Sequence, residues 1–181
     1  MERLTFDAFP RSATTFVLEA LRQAYPEEMD AGLIHNRRHR MTNLQEGTNT
    51  LTVVRHPLYA CSSAMVKKIE NNWANPSDIL SWYIRFMNVT LERFNDIYVA
   101  KFEDVINDVN SVIRNYSLRF NLSEPKTIEV SLLDKNVTEK PYTKEMKLIE
   151  NEPNYTKAVE LYERVIGLLN DYPNHGTSRF R

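Results

Sequence analysis

Residues 9–16 read F-P-R-S-A-T-T-F and set one arginine and three hydroxyls close together: Arg11, Ser12, Thr14 and Thr15. Such a set can direct several hydrogen bonds at one anion. The guanidinium brings a fixed charge and a fork of donors, and each hydroxyl rotates to suit. A second set opens at V-V-R-H-P, where Arg55 is followed by Ser62 and Ser63. Both sets suit the binding of phosphate-like groups. Each also has an ordinary reading. Ser12 can cap a helix with Arg11 as a surface charge, and Arg55 can be an edge arginine above helix-surface serines.

The flanking residues say where these side chains sit. Residues 4–9 alternate like a strand, and 13–24 carry Phe16, Val17, Ala20, Leu21 and Ala24 on one helical stripe that stops near Pro26. Residues 32–35 read as a short strand. Residues 50–54, T-L-T-V-V, have the unbroken β-branched character of a strand covered on both faces. Pro57 opens a helix that continues over 58–72, and a further helix is expected over 76–94. A strand over 97–102, a helix over 103–120 and a last helix over 155–170 follow, while 121–152 is broken by prolines and stays open. Strands alternating with helices predict βαβ units and a mainly parallel sheet. Ligands of such sheets lie at the carboxyl ends of the strands. That rule brings 10–15, the stretch after Ile34, and 55–57 to one rim. A strand turning into a helix there exposes the unbonded amides and positive dipole end of that helix, a ready anion site.

Composition narrows the class. The chain has 181 residues, 42% hydrophobic and 10% aromatic, enough for one α/β domain over 1–181. Its net charge of −1 argues against a nucleic-acid binder. A single cysteine, Cys61, allows no intrachain disulfide, and neither a signal peptide nor a membrane-spanning run is expected. A cytoplasmic protein without membrane or nucleic-acid partners is the expectation. With only four glycines, the chain lacks the G-x-x-x-x-G-K-[ST] phosphate loop. The four histidines are scattered, so no metal is expected.

The order of these motifs resembles the sulfotransferases that use 3′-phosphoadenosine-5′-phosphosulfate (PAPS). P-R-S-A-T-T-F is similar to their P-[KR]-S-G-T-T-[WL] loop. V-V-R-H-P with Ser62-Ser63 resembles their second motif, and Y-V-A-K-F-E-D-V-I-N-D their V-x-Y-E-D-L segment. The last helix, A-V-E-L-Y-E-R-V-I-G-L-L, resembles that of compact members. The resemblance implies a three-layer α/β/α fold akin to P-loop nucleotide kinases, with a parallel sheet of about five strands. It implies transfer of a sulfuryl group to a hydroxyl or amine of a small-molecule or carbohydrate acceptor, leaving the bisphosphate PAP. Carried over by position, Arg11 contacts the 5′-phosphosulfate, and Ser12, Ala13, Thr14 and Thr15 cradle it. Phe16 stacks on adenine, and Arg55 and Ser63 hold the 3′-phosphate. Two departures stand out: Ala13 replaces the usual glycine, and Phe102 replaces the usual tyrosine. Lysines in 135–144, or the C-terminal N-H-G-T-S-R-F-R, are candidates for further phosphate contacts.

Transfer to a hydroxyl also calls for a general base. His35 is the first candidate, as a strand-end histidine about 20 residues before Arg55. His39, Glu27, Glu28 and Asp30 are rivals. His35 reads equally as a hydrogen-bonded strand-end residue. The run H-N-R-R-H-R suits an acidic acceptor or is a solvated loop. Trp73, Trp82 and Tyr83 suit a sugar-binding wall, though the spacing of Trp82, Phe86 and Val89 favours core packing. A small kinase and a nucleotide-binding protein without transfer chemistry are the alternative functions.

Overall fold

The computed structural model describes residues 3–36, 49–67, 75–133 and 142–171. The chain runs β1 (Leu4–Ala8), α1 (Thr14–Ala24), α2 (Pro26–Asp30), β2 (Ile34–Asn36), β3 (Asn49–Val54), α3 (Pro57–Lys67) and α4 (Pro76–Glu92). Then come β4 (Tyr98–Lys101), α5 (Phe102–Asn107), α6 (Val109–Phe120), a 3-10 turn (Val130–Leu132), α7 (Thr143–Glu150) and α8 (Tyr155–Asp171). The strands form one sheet in the order β2-β1-β3-β4, and every pairing is parallel. Four strands therefore stand among the described residues, where the sequence resemblance implies about five.

Neighbouring side chains on a strand point to opposite faces, and here the two faces carry separate cores. Leu4, Phe6, Ala8, Leu51 and Val53 pack with α1, α5 and α6. Val54 and Val99 pack with α3, α4, α7 and α8. Helices thus cover both faces, as a three-layer α/β/α arrangement requires. That double cover is why 50–54 lacks polar alternation beyond its threonines. Thr50 and Thr52 are themselves buried. No helix among the described residues is long and apolar enough to cross a membrane.

One expected helix is divided in the structure. The helix expected over 103–120 breaks at Asp108, whose backbone leaves the helical region at φ −149°, ψ 75°. Its carboxylate accepts hydrogen bonds from the Ser111 amide at 3.0 Å and hydroxyl at 2.6 Å, an N-cap that starts α6 afresh. These bonds hold the carboxyl below its ordinary pKa. The stretch the sequence leaves open, 121–152, begins as a strap and then holds the 3-10 turn and α7. The Lys126 amide donates to the Ala24 carbonyl, and Asn110 brackets Ile128 with two bonds, which buries Ile128 in the first core.

Candidate functional site

β1 and β3 are adjacent and in register, with Ala8 opposite Val53, so the segments that follow them emerge side by side at the carboxyl rim. The turn after β1 is tightly held. The Ser12 amide donates to the Phe9 carbonyl at 3.1 Å. Arg11 adopts φ 67° and Ala13 adopts φ 60°, both in the left-handed region, with no glycine to ease the bend. α1 then begins with the Val17 amide bonded to the Ala13 carbonyl, and Ala13 provides no side-chain cap. The first-turn amides, from Thr14 to Phe16, therefore open at the rim without the usual capping partner.

The left-handed Ala13 explains why glycine suits this position. An L-residue there costs about 1–2 kcal/mol, whereas glycine carries no such strain but loses about 0.4–1 kcal/mol more chain entropy on folding. The strain term wins. Ala13→Gly is expected to raise stability by about 0.5–1 kcal/mol, read as a higher urea midpoint with an unchanged slope.

The two arginines meet. Arg11 Nε donates to Ser63 Oγ at 3.2 Å, and an Arg55 terminal nitrogen donates to the Arg11 carbonyl at 2.9 Å. The Arg55 guanidinium lies 4.0 Å from the centre of the Phe102 ring, at the first residue of α5. Tyr83, fully buried in α4, donates its hydroxyl to the Arg55 carbonyl at 2.7 Å. Burial disfavours the Arg55 charge, the Glu103 carboxylate supports it, and the neighbouring Arg11 opposes it. An arginine stays protonated even so. The two like charges therefore stand near enough to oppose each other, and an anion shared between them would relieve that repulsion.

The hydroxyls sort themselves. Ser12 is 0% exposed and its Oγ has no hydrogen-bond partner; buried Thr14 Oγ1 has none either. An unpartnered buried hydroxyl costs about 1–3 kcal/mol, and this turn holds two of those found among the described residues. Thr15 is exposed on the same turn. Ser62 is occupied within its own helix, donating to the Leu58 carbonyl at 2.6 Å, which leaves Ser63 as the serine that faces Arg11.

Several expectations need correction. Phe16 is 3% exposed and packs in the first core, so its ring does not face a ligand. The stripe of α1 that packs on the sheet includes Phe16, and packing has claimed it. His35 is not on the rim. It pairs with Thr5, three residues before Ala8, which places it roughly 10 Å below the end of β1 at about 3.3 Å per residue. Its side chain lies outside the described residues. Glu27, Glu28 and Asp30 lie on or at the end of α2, which α1 has carried back to the amino end of the sheet. There the Leu4 amide donates to the Leu33 carbonyl. Of the aromatics considered for a sugar-binding wall, Tyr83 is buried and Trp82 packs on Phe9 with ring centres 5.6 Å apart, the core packing that their helical spacing favours. His39, the arginines of H-N-R-R-H-R, Trp73, 135–141 of the lysine stretch and the C-terminal run lie outside the described residues.

His56 is the rim histidine that sequence reasoning passed over, although it stands inside the V-V-R-H-P motif. Its Nδ1 accepts the Leu58 amide at 3.3 Å, and its ring meets Tyr162 edge-on at 5.2 Å. Burial lowers its pKa, an effect partly offset by Glu163 and Glu103. Among the described residues no cluster of His, Cys, Asp and Glu could hold a metal ion. Comparison with family models, curated proteins and solved structures finds no match to this chain. The fold and rim define a class, a parallel α/β protein with two arginine-bearing strand-to-helix turns side by side on one rim.

Proposed function

We propose that this chain is a PAPS-dependent sulfotransferase of the P-loop-like type, acting on a hydroxyl or amine of a small-molecule or carbohydrate acceptor. The observation that carries this reading is the meeting of the two motifs: Arg11 on Ser63, and Arg55 on Arg11, at the carboxyl ends of adjacent parallel strands. A ligand with two phosphate-like groups suits such a pair better than a ligand with one. The orphaned Ser12 and Thr14 hydroxyls fit it too, since each would donate to an oxygen of that ligand.

PAPS, when bound, supplies the sulfuryl group and the phosphate that leaves. The chain's own residues do the rest. Arg11 and the first-turn amides of α1 stand as fixed donors for negative charge that grows on the leaving phosphate, and preorganised donors lower a barrier most where charge develops. Arg55 and Ser63 bind the 3′-phosphate and so set the register of the whole donor. Phe102, in place of a tyrosine, offers a ring under Arg55 instead of a hydroxyl.

A nucleotide-binding protein without transfer chemistry is the second reading, favoured by the positions of His35, Glu27, Glu28 and Asp30 away from the rim. One experiment separates the readings: transfer of labelled sulfuryl from PAPS to a panel of sugars and phenols, with chelator present. Transfer that survives the chelator is the expected result. Tight binding of PAP without transfer would favour the second reading. Binding of ATP but not PAP, with magnesium-dependent phosphoryl transfer, would replace both with a small kinase.

A further inference from the structure

A pair of arginines accounts for the phosphates of a nucleotide but not for its base, and Phe16 is unavailable for that role. We infer that Tyr59 is the platform on which the planar base of the ligand stacks, an inference that rests on the nucleotide reading of the rim. Tyr59 is the third residue of α3, the helix that begins directly after Arg55 and His56. Its ring is 50% exposed, while most large aromatic side chains of the described chain are buried or partly buried.

The setting of that ring is specific. Arg55 Cζ lies 5.9 Å from its centre, and the His56 ring centre lies 5.8 Å away, tilted by 60°. Phe102 also faces Arg55, but at 8% exposure its ring is taken up by packing. Of the two rings that face Arg55, Tyr59 is the one open to a ligand. A base joined through one ribose to a phosphate on Arg55 falls within reach of a ring at that distance. The His56 ring adds a second planar edge beside it. Stacking on a tyrosine face is tolerant of base identity, because every base presents a π-face. Tyr59 therefore confers preference for a base-bearing bisphosphate over a bare one.

The test is calorimetry at fixed salt with two probes, adenosine 3′,5′-bisphosphate and its base-free counterpart 1-deoxyribose 3,5-bisphosphate. Tyr59→Ala is expected to weaken the nucleotide roughly 10–100-fold and leave the base-free probe unchanged. Tyr59→Phe keeps the ring and keeps the affinity. Equal weakening of both probes by Tyr59→Ala would overturn the inference, since the ring would then act only by supporting Arg55. An unchanged affinity for both would overturn it as well. If the unaltered protein bound neither probe, the nucleotide reading itself would fail and take the inference with it, an outcome distinct from the other two.

Discussion

Arg55→Ala lowers the affinity for adenosine 3′,5′-bisphosphate by about 100- to 1,000-fold. The guanidinium has two duties, and the substitution ends both. It donates to the 3′-phosphate in the proposed complex, and it donates to the Arg11 carbonyl within the chain itself. A hydrogen bond with a charged partner contributes about 1.5–3 kcal/mol; the lost phosphate bond, with about 1 kcal/mol more from the loosened Arg11 turn, comes to about 2.5–4 kcal/mol of binding, in line with the stated range. The second bond matters because Arg11 holds φ 67°, a conformation an arginine keeps only where its surroundings enforce it. Arg55→Lys keeps the charge but loses both the fork of donors and the flat stack on Phe102. It is expected to recover only part of the affinity. Calorimetry with chelator present, at one salt concentration, measures all three proteins. An Arg55→Ala protein that binds as tightly as the unaltered one would remove the second motif from the site.

Phe16→Ala destabilises the fold by about 3–5 kcal/mol and Phe16→Leu by less than about 1.5 kcal/mol, as deletion and near-conservation of a core side chain do. The ring is 3% exposed and packs among Val17, Ala20, Phe6 and their neighbours of the first core. Since it faces the core, Phe16→Leu leaves the affinity for the nucleotide unchanged. Urea unfolding reads the first effect and calorimetry the second. Selective loss of nucleotide affinity in Phe16→Leu, with stability intact, would show that the ring meets a base after all.

Much of this was legible in the residue order because it is local. The β1 strand, the turn and α1 lie consecutively, as do β3, Arg55 and α3. Periodicity and turn residues mark such segments without any knowledge of the rest of the chain. The rim followed from the alternation of strands and helices. Other features depend on register and on which end of the sheet an element reaches, and no local pattern encodes either. Glu27 and Glu28 are close in sequence to the Arg11 turn, yet the 11 residues of α1 carry them about 16 Å away along the helix axis. His35 ends up level with Thr5 through the pairing of β2 with β1, which a sequence does not state. The Tyr83 bond to the Arg55 carbonyl joins residues 28 apart in the chain. Phe16 was readable both as a core stripe residue and, through the resemblance, as a base contact. Its burial settles its place in the core. Asp108 was readable in principle, since aspartate is among the favoured N-cap residues.

The account turns on one ligand spanning both arginine turns. Calorimetric titration of the unaltered protein with adenosine 3′,5′-bisphosphate, adenosine 5′-monophosphate and adenosine 3′-monophosphate tests that span directly. Binding of the bisphosphate at least about 100-fold tighter than either monophosphate is the predicted result, the equivalent of about 2.7 kcal/mol from the second phosphate. Equal affinity for the bisphosphate and one of the monophosphates would contradict it, because a single turn would then hold the whole ligand.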